Sequence, residues 1–234
     1  MKPLKSTPIP DEVPARRYWP ARRAILRILM PILRLLYGFR VVGDPTMCSA
    51  PGPFVVVCNH VHTLDCVMVS KAFEQKRQWV LSLPSNLELP VAGAIVRVMG
   101  GIPVPDRPAG YRVLYRRLEE VFARGEFFQV YPEGELLPGC RTLRPFHPGA
   151  FLFAVRSGVP VVPCVLRWAP WEDGDFHLRR ERLELCVLPA VSPEEFSGRS
   201  PRGRALAMCE AVQAQMRAAL PREEPSLAPV PETL

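Results

Sequence analysis

The feature that most constrains the fold is an alternation from Phe54 to Trp168, where short apolar runs give way to longer stretches with a helical hydrophobic period. Runs such as Phe54 to Cys58 and Val161 to Trp168 are almost wholly apolar, with Arg167 the one charged residue, which fits strands covered on both faces. Strands are also expected at Trp79 to Ser82, Ile102 to Val104, Phe127 to Tyr131 and Leu183 to Leu188. Helices are expected at Asp65 to Phe73, Val91 to Met99, Ala109 to Ala123, Gly149 to Ser157 and Pro201 to Leu220. The pattern predicts a single layered α/β domain over residues 41–220. At 234 residues the chain holds one sizeable core, and 48% hydrophobic against 23% charged residues excludes a disordered or collagen-like chain.

The formal net charge of +7 is concentrated at one end. Through Arg40 there are nine basic residues against Asp11 and Glu12, while the remainder balances. Residues 1–19 are rich in proline and charge and are expected to form a flexible tail, as are residues 221–234. Residues 20–40 read as an amphipathic helix, apolar around most of its circumference and broken by a narrow arginine stripe that includes Arg23, Arg27 and Arg34. A neutral body with a cationic, leucine-rich end fits an anionic membrane surface better than nucleic acid. Arg27, Pro31 and Arg34 interrupt the apolar stretch, so the helix is expected to lie in the interface rather than span it. A peripheral or monotopic protein on the cytoplasmic face of a membrane follows. The competing account packs the same leucines on the protein's own core. Seven cysteines without a C-x-x-C pair read as free thiols in a reducing compartment.

Polar groups collect directly after the apolar runs. Phe54 to Cys58 leads into Asn59, His60, Val61, His62, Thr63, Leu64 and Asp65, and the carboxyl ends of such strands are where α/β sheets place ligands. Five residues of separation let the Asp65 carboxylate reach back to His60 and hold the imidazole in one tautomer, as in a histidine base. Alternatively, the histidine caps the helix or fills a polar pocket. Tyr131, Pro132, Glu133 and Gly134 follow the strand at Phe127, and Glu133 faces either a site or a solvated turn. Arg107, after the strand at Ile102, either grips a phosphate with its planar fork or sits in a surface turn beside Asp106. The stiff run from Gly158 to Pro163 is structural or lines an acyl site.

In this order the segments resemble the glycerolipid acyltransferases, the family that acylates glycerol phosphates and lysophospholipids. Asn59, His60 and Asp65 match its N-H-x-x-x-x-D block; Gly101, Ile102, Asp106 and Arg107 match the strand that ends in D-R. Tyr131, Pro132, Glu133 and Gly134 match F-P-E-G, and Pro145, Phe146, Gly149, Ala150 and Phe151 look like its P-F-K-x-G-A-F stretch. Val159 to Pro163 matches the V-P-x-x-P run. The chain departs at His62 in place of a serine, at Glu135 and Leu136 in place of threonine and arginine, and at His147 in place of a lysine.

The resemblance implies an α/β acyltransferase domain with an N-terminal membrane-associating helix. It implies transfer of a fatty acyl group from acyl-CoA or acyl carrier protein to a hydroxyl of a glycerol phosphate or lysophospholipid, most nearly as a 1-acylglycerol-3-phosphate acyltransferase. His60 and Asp65 would be catalytic, with oxyanion donors among the backbone amides that start the following helix. Asn59, Arg107, Glu133 and Gly134 would bind substrate, and Arg141 or Arg144 would replace the missing arginine. No permanently bound cofactor and no metal are implied; partners are the thioester donor, the lysolipid acceptor and an anionic membrane, not nucleic acid. Two other classes compete: a metal-dependent hydrolase using His60, His62 and Asp65, and a non-catalytic membrane lipid-binding protein.

Overall fold

The computed structural model describes residues 19–44, 46, 52–171 and 181–221. Residues 1–18 and 222–234, where tails are expected, lie outside them, as does Cys48. In chain order the elements are α1 (Trp19–Tyr37), β1 (Arg40–Gly43), β2 (Phe54–Cys58), α2 (Asp65–Ala72), β3 (Gln78–Ser82), α3 (Pro84–Glu88), α4 (Ala92–Val98) and β4 (Gly101–Pro103). There follow α5 (Pro108–Ala123), β5 (Phe127–Val130), α6 (Gly149–Ser157), β6 (Val161–Pro170), β7 (Glu181–Val187), a 3-10 turn (Pro193–Phe196) and α7 (Pro201–Ala218).

The seven strands form one sheet in the order β1-β7-β6-β2-β5-β3-β4. From β6 through β4 all pairs are parallel, while β7 runs antiparallel to β6 and carries β1 parallel beside it. The carboxyl ends of β2 to β6 therefore share one edge of the sheet. Alternation along β2 divides the core: Val55 and Val57 join α5, α6 and α7 on one face, whereas Phe54, Val56 and Cys58 join α1, α2 and Met99 on the other. Helices cover both faces, which is why β2 is buried at all five positions.

α1 packs one side on the protein's own core and leaves another side exposed. Arg22, Leu26, Met30 and Leu33 form one buried stripe at helical spacing. Arg22 donates from Nε to Ser70 Oγ at 2.6 Å and from Nη2 to the Ser70 carbonyl at 2.9 Å, which fastens α1 to α2. Burial lowers its pKa to about 10 against the opposing pull of Glu74, so it stays cationic at neutral pH. On the outer side Ile28, Ile32, Leu35 and Leu36 remain exposed, with Arg23, Arg27 and Arg34 beside them. The stripe of Arg23, Arg27 and Arg34 faces outward, while Arg22, outside it, turns inward.

At the opposite edge of the sheet a buried carboxylate gathers three strands. Glu184 on β7 accepts from Arg40 on β1 at 2.8 Å, from Arg167 on β6 at 3.0 Å and from Arg182 at 2.9 Å. Arg40 and Arg167 are its register partners across the two neighbouring strands.

Candidate active site

β2 ends at Cys58 and the chain turns across the carboxyl edge of the sheet before α2 begins at Asp65. Asp65 is only 1% exposed. Its Oδ2 lies 2.7 Å from His60 Nδ1 and also accepts the His62 amide at 3.4 Å. A carboxylate can only accept, so the imidazole carries its proton on Nδ1 and keeps the lone pair on Nε2. That nitrogen is left for a cavity of about 620 Å³ which His60 lines and which is largely walled by apolar side chains from β3, α4, β5 and α6. Tyr131, one residue past β5, stacks on the imidazole with ring centroids 3.8 Å apart and planes 10° apart, and its hydroxyl donates to Asp65 Oδ1 at 2.8 Å.

The structure brings together His60, Asp65 and Gly134 at this cavity and sends the other expected residues elsewhere. Asn59 is 2% exposed and does not reach it. Its Nδ2 donates to the Leu166 carbonyl and its Oδ1 accepts the Leu166 amide, both at 2.8 Å, so its whole amide clips β2 to β6. Glu133 is buried as well: Oε2 accepts from Arg144 Nη2 at 2.8 Å and from the His60 amide at 3.3 Å, and Oε1 accepts the Arg144 amide at 3.3 Å. It holds the loop that carries the base and is not among the residues lining the cavity. Arg144 spends its guanidinium on Glu133 and Glu135, and Arg141 makes a two-pronged pair with Glu181, at 2.8 and 2.5 Å. Arg107 is 79% exposed beside Asp106 and caps the start of α5 outside the cavity wall.

Three of the amides that open α2, where oxyanion donors are expected, are likewise engaged. The amides of Asp65, Val67 and Met68 bond the carbonyls of His62 and Leu64 at 3.0–3.1 Å, so they serve the turn that opens α2. Gly134, with φ +84, takes a left-handed turn where a Cβ would come within 3.3 Å of the His147 ring. His62 accepts the Leu64 amide on Nδ1 and packs edge-on to Tyr37 at the end of α1. Among the described residues no three His, Cys, Asp or Glu side chains gather as a set of metal ligands.

Sequence reasoning missed Tyr131, whose signal was a hydroxyl at a motif position that otherwise asks only for an aromatic ring. It also missed Glu135 and His147, which line the cavity.

A three-layer α/β sheet with an aspartate-held histidine at the mouth of an apolar cavity defines a site for proton transfer beside a hydrophobic substrate. A family model described as Acyltransferase matches residues 40–167, more than half of the chain, and the chain belongs to that family. It is similar to the 1-acyl-sn-glycerol-3-phosphate acyltransferase alpha of Mus musculus, 29% identical over 183 residues that cover 73% of this chain and 61% of that protein. It is also similar to the 1-acyl-sn-glycerol-3-phosphate acyltransferase of Escherichia coli strain K12, 25% identical over 193 residues covering 80% of this chain and 77% of that one. The chain thus spans about three fifths of the length of the mouse relative. Among solved structures, the 1-acyl-sn-glycerophosphate (LPA) acyltransferase PlsC from Thermotoga maritima shares the fold, with a TM-score of 0.58 at 20% identity over 86% of this chain and 79% of that one.

Proposed function

We propose that the protein transfers a fatty acyl group from a thioester donor, acyl-CoA or acyl carrier protein, to a hydroxyl of a lysophospholipid or glycerol phosphate, with lysophosphatidate the first acceptor to try. The observation that carries this reading is the His60–Asp65 pair at 2.7 Å opening on an apolar cavity of about 620 Å³. His60 Nε2 takes the proton of the acceptor hydroxyl as its oxygen attacks the thioester carbonyl. The tetrahedral adduct then collapses, the C–S bond breaks, and the departing thiolate receives the proton from the imidazolium. Asp65 keeps the imidazole in the required tautomer and offsets its transient charge. The donor is consumed as a co-substrate, so no permanently bound cofactor is needed, and membership of the family supports the same chemistry.

The membrane part of the reading rests on α1. No described helix is long and apolar enough to cross a bilayer, yet the outer side of α1 offers Ile28, Ile32, Leu35 and Leu36 between exposed arginines. Such a surface suits the interface of an anionic leaflet, and the cytoplasmic face is the side we assign. Its last turn reaches the site loop through Tyr37 and His62.

The test is thiol release from a long-chain acyl-CoA, and from the acyl carrier protein thioester, with lysophosphatidate, glycerol 3-phosphate or lysophosphatidylcholine in mixed micelles. Acceptor-dependent release with formation of the acylated lipid is expected. Thioester hydrolysis that ignores every acceptor would overturn the reading.

A further inference from the structure

We propose that Tyr131 is a positioning residue for the base, holding Asp65 through its hydroxyl and His60 through its ring. The inference rests on the acyl-transfer reading above. The family motif needs only an aromatic ring at this position, and phenylalanine would supply the stacking without the hydroxyl. Here the hydroxyl is present and aimed: Tyr131 Oη donates to Asp65 Oδ1 at 2.8 Å while Asp65 Oδ2 meets His60 Nδ1 at 2.7 Å. Each carboxylate oxygen has its own partner, so the carboxylate cannot rotate without breaking one of the two bonds. The Tyr131 ring lies 10° from the imidazole plane at 3.8 Å, and it limits the swing of His60 about its side-chain bonds.

The hydroxyl also sets how strongly Asp65 favours the imidazolium. A hydrogen bond to one carboxylate oxygen withdraws part of the negative charge seen by His60. That withdrawal weakens the attraction Asp65 exerts on a proton at the imidazole. Burial, reinforced by the neighbouring Asp65 charge, holds the phenol well above its ordinary pKa, so it remains a donor across the neutral range. Other groups around the base do not take its place. The charge of Glu133 is met by Arg144 at 2.8 Å. The thiols of Cys58 and Cys66 are pushed up by burial and stay protonated. His62 turns Nδ1 to the Leu64 amide, and Glu135 and His147 sit in the cavity wall.

The experiment compares the full-length protein with Tyr131→Phe, which keeps the ring and removes only the hydroxyl. With a long-chain acyl-CoA and lysophosphatidate, kcat/KM is followed by thiol release from mildly acidic to alkaline pH. The acid limb is expected to move to higher pH by about one unit, a loss of about tenfold on the acid side, with a smaller loss on the alkaline plateau, where the base is held less firmly, and the acceptor KM little changed. A superimposable profile overturns the proposal, and so does a uniform loss at every pH, which marks a merely structural residue. If Tyr131→Phe does not fold, biosynthetic 3-fluorotyrosine replaces it: the more acidic phenol donates more strongly and should move the limb to lower pH, and an unmoved limb overturns the proposal. If the wild-type protein transfers no acyl group, the functional reading fails by itself. The imidazole resonance of His60, one of four histidines and assigned by its loss in His60→Ala, then decides: a titration midpoint displaced by Tyr131→Phe sustains the contact's role, and an identical midpoint overturns it.

Discussion

At the scale of single residues, the site separates groups that meet substrate from groups that hold them. His60→Ala should abolish transfer in a protein that still folds, because no other described side chain is bonded to Asp65 as a ring base. Asp65→Asn should cost about ten-thousandfold in kcat, since an amide can donate to Nδ1 and select the wrong tautomer. Steady-state kinetics beside a melting curve checks both, and a folded His60→Ala protein with wild-type turnover would falsify the mechanism. Thiol reactivity follows burial in the same way. Cys58 and Cys66 are buried, and desolvation raises both thiols far above the range where thiolate forms at neutral pH. Cys140 is only half-buried. Among these three, alkylation followed by peptide mapping should label Cys140 first and leave the other two until the protein unfolds. The pairing of His60 with Asp65 was legible as one of two readings, because their separation across a strand end lets the carboxylate reach back to the ring. The fate of Asn59 was not, because its partner Leu166 lies 107 positions away.

At the scale of elements, α1 is a helix with two apolar sides, one packed on the core and one exposed. Leu33 is 2% exposed against α2 and its neighbours, while Leu35 is 78% exposed. Leu33→Ala should therefore lower stability by about 2–5 kcal/mol in denaturant unfolding. Leu35→Glu should leave stability within about 0.5 kcal/mol yet reduce sedimentation with anionic vesicles, and rising salt should weaken the sedimentation of wild type and variant alike. Equal loss of stability from both would place the outer side in the core as well. The helix itself was readable from its periodicity. Which part of its circumference faces protein was not, because nearly every position around it is apolar and only the neighbours on α2 choose among them.

At the scale of the whole molecule, the far edge of the sheet depends on one carboxylate. Burial pushes the Glu184 carboxyl up, but hydrogen bonds from Arg167, Arg40 and Arg182 outweigh it and hold the group below its ordinary range. A folded value below the unfolded one stabilises the fold above the ordinary carboxylate range, near about 4.3, and that stability is lost as pH falls through the depressed folded value. Glu184→Gln leaves three guanidinium groups facing a neutral amide, at a cost of about 3–5 kcal/mol at neutral pH. The difference from wild type in urea unfolding should shrink as pH is lowered through the acid range. A difference that stays constant with pH would show that the carboxylate charge does not hold this edge.

What the amino-acid sequence determined by itself was local: the strand at Phe54–Cys58 and the helix at Gly149–Ser157 fall where hydrophobic period, turn residues and length place them. The short strand Arg40–Gly43 and the helix Pro84–Glu88 were not foreseen, since so few residues give no period and the strand is made only by pairing with β7. The layered α/β class is also carried by order and spacing, and the aspartate-held histidine by spacing together with the family resemblance. The partners of the charged residues were decided only by the tertiary structure. Glu133, Arg141 and Arg144 look alike in the sequence as groups that could receive a substrate, yet folding matches each with an opposite charge. The physical reason is that a charge near a folded interior is stabilised by whichever opposite charge the topology brings within hydrogen-bond range. That choice is made between residues distant in the chain, where neither periodicity nor motif spacing carries information.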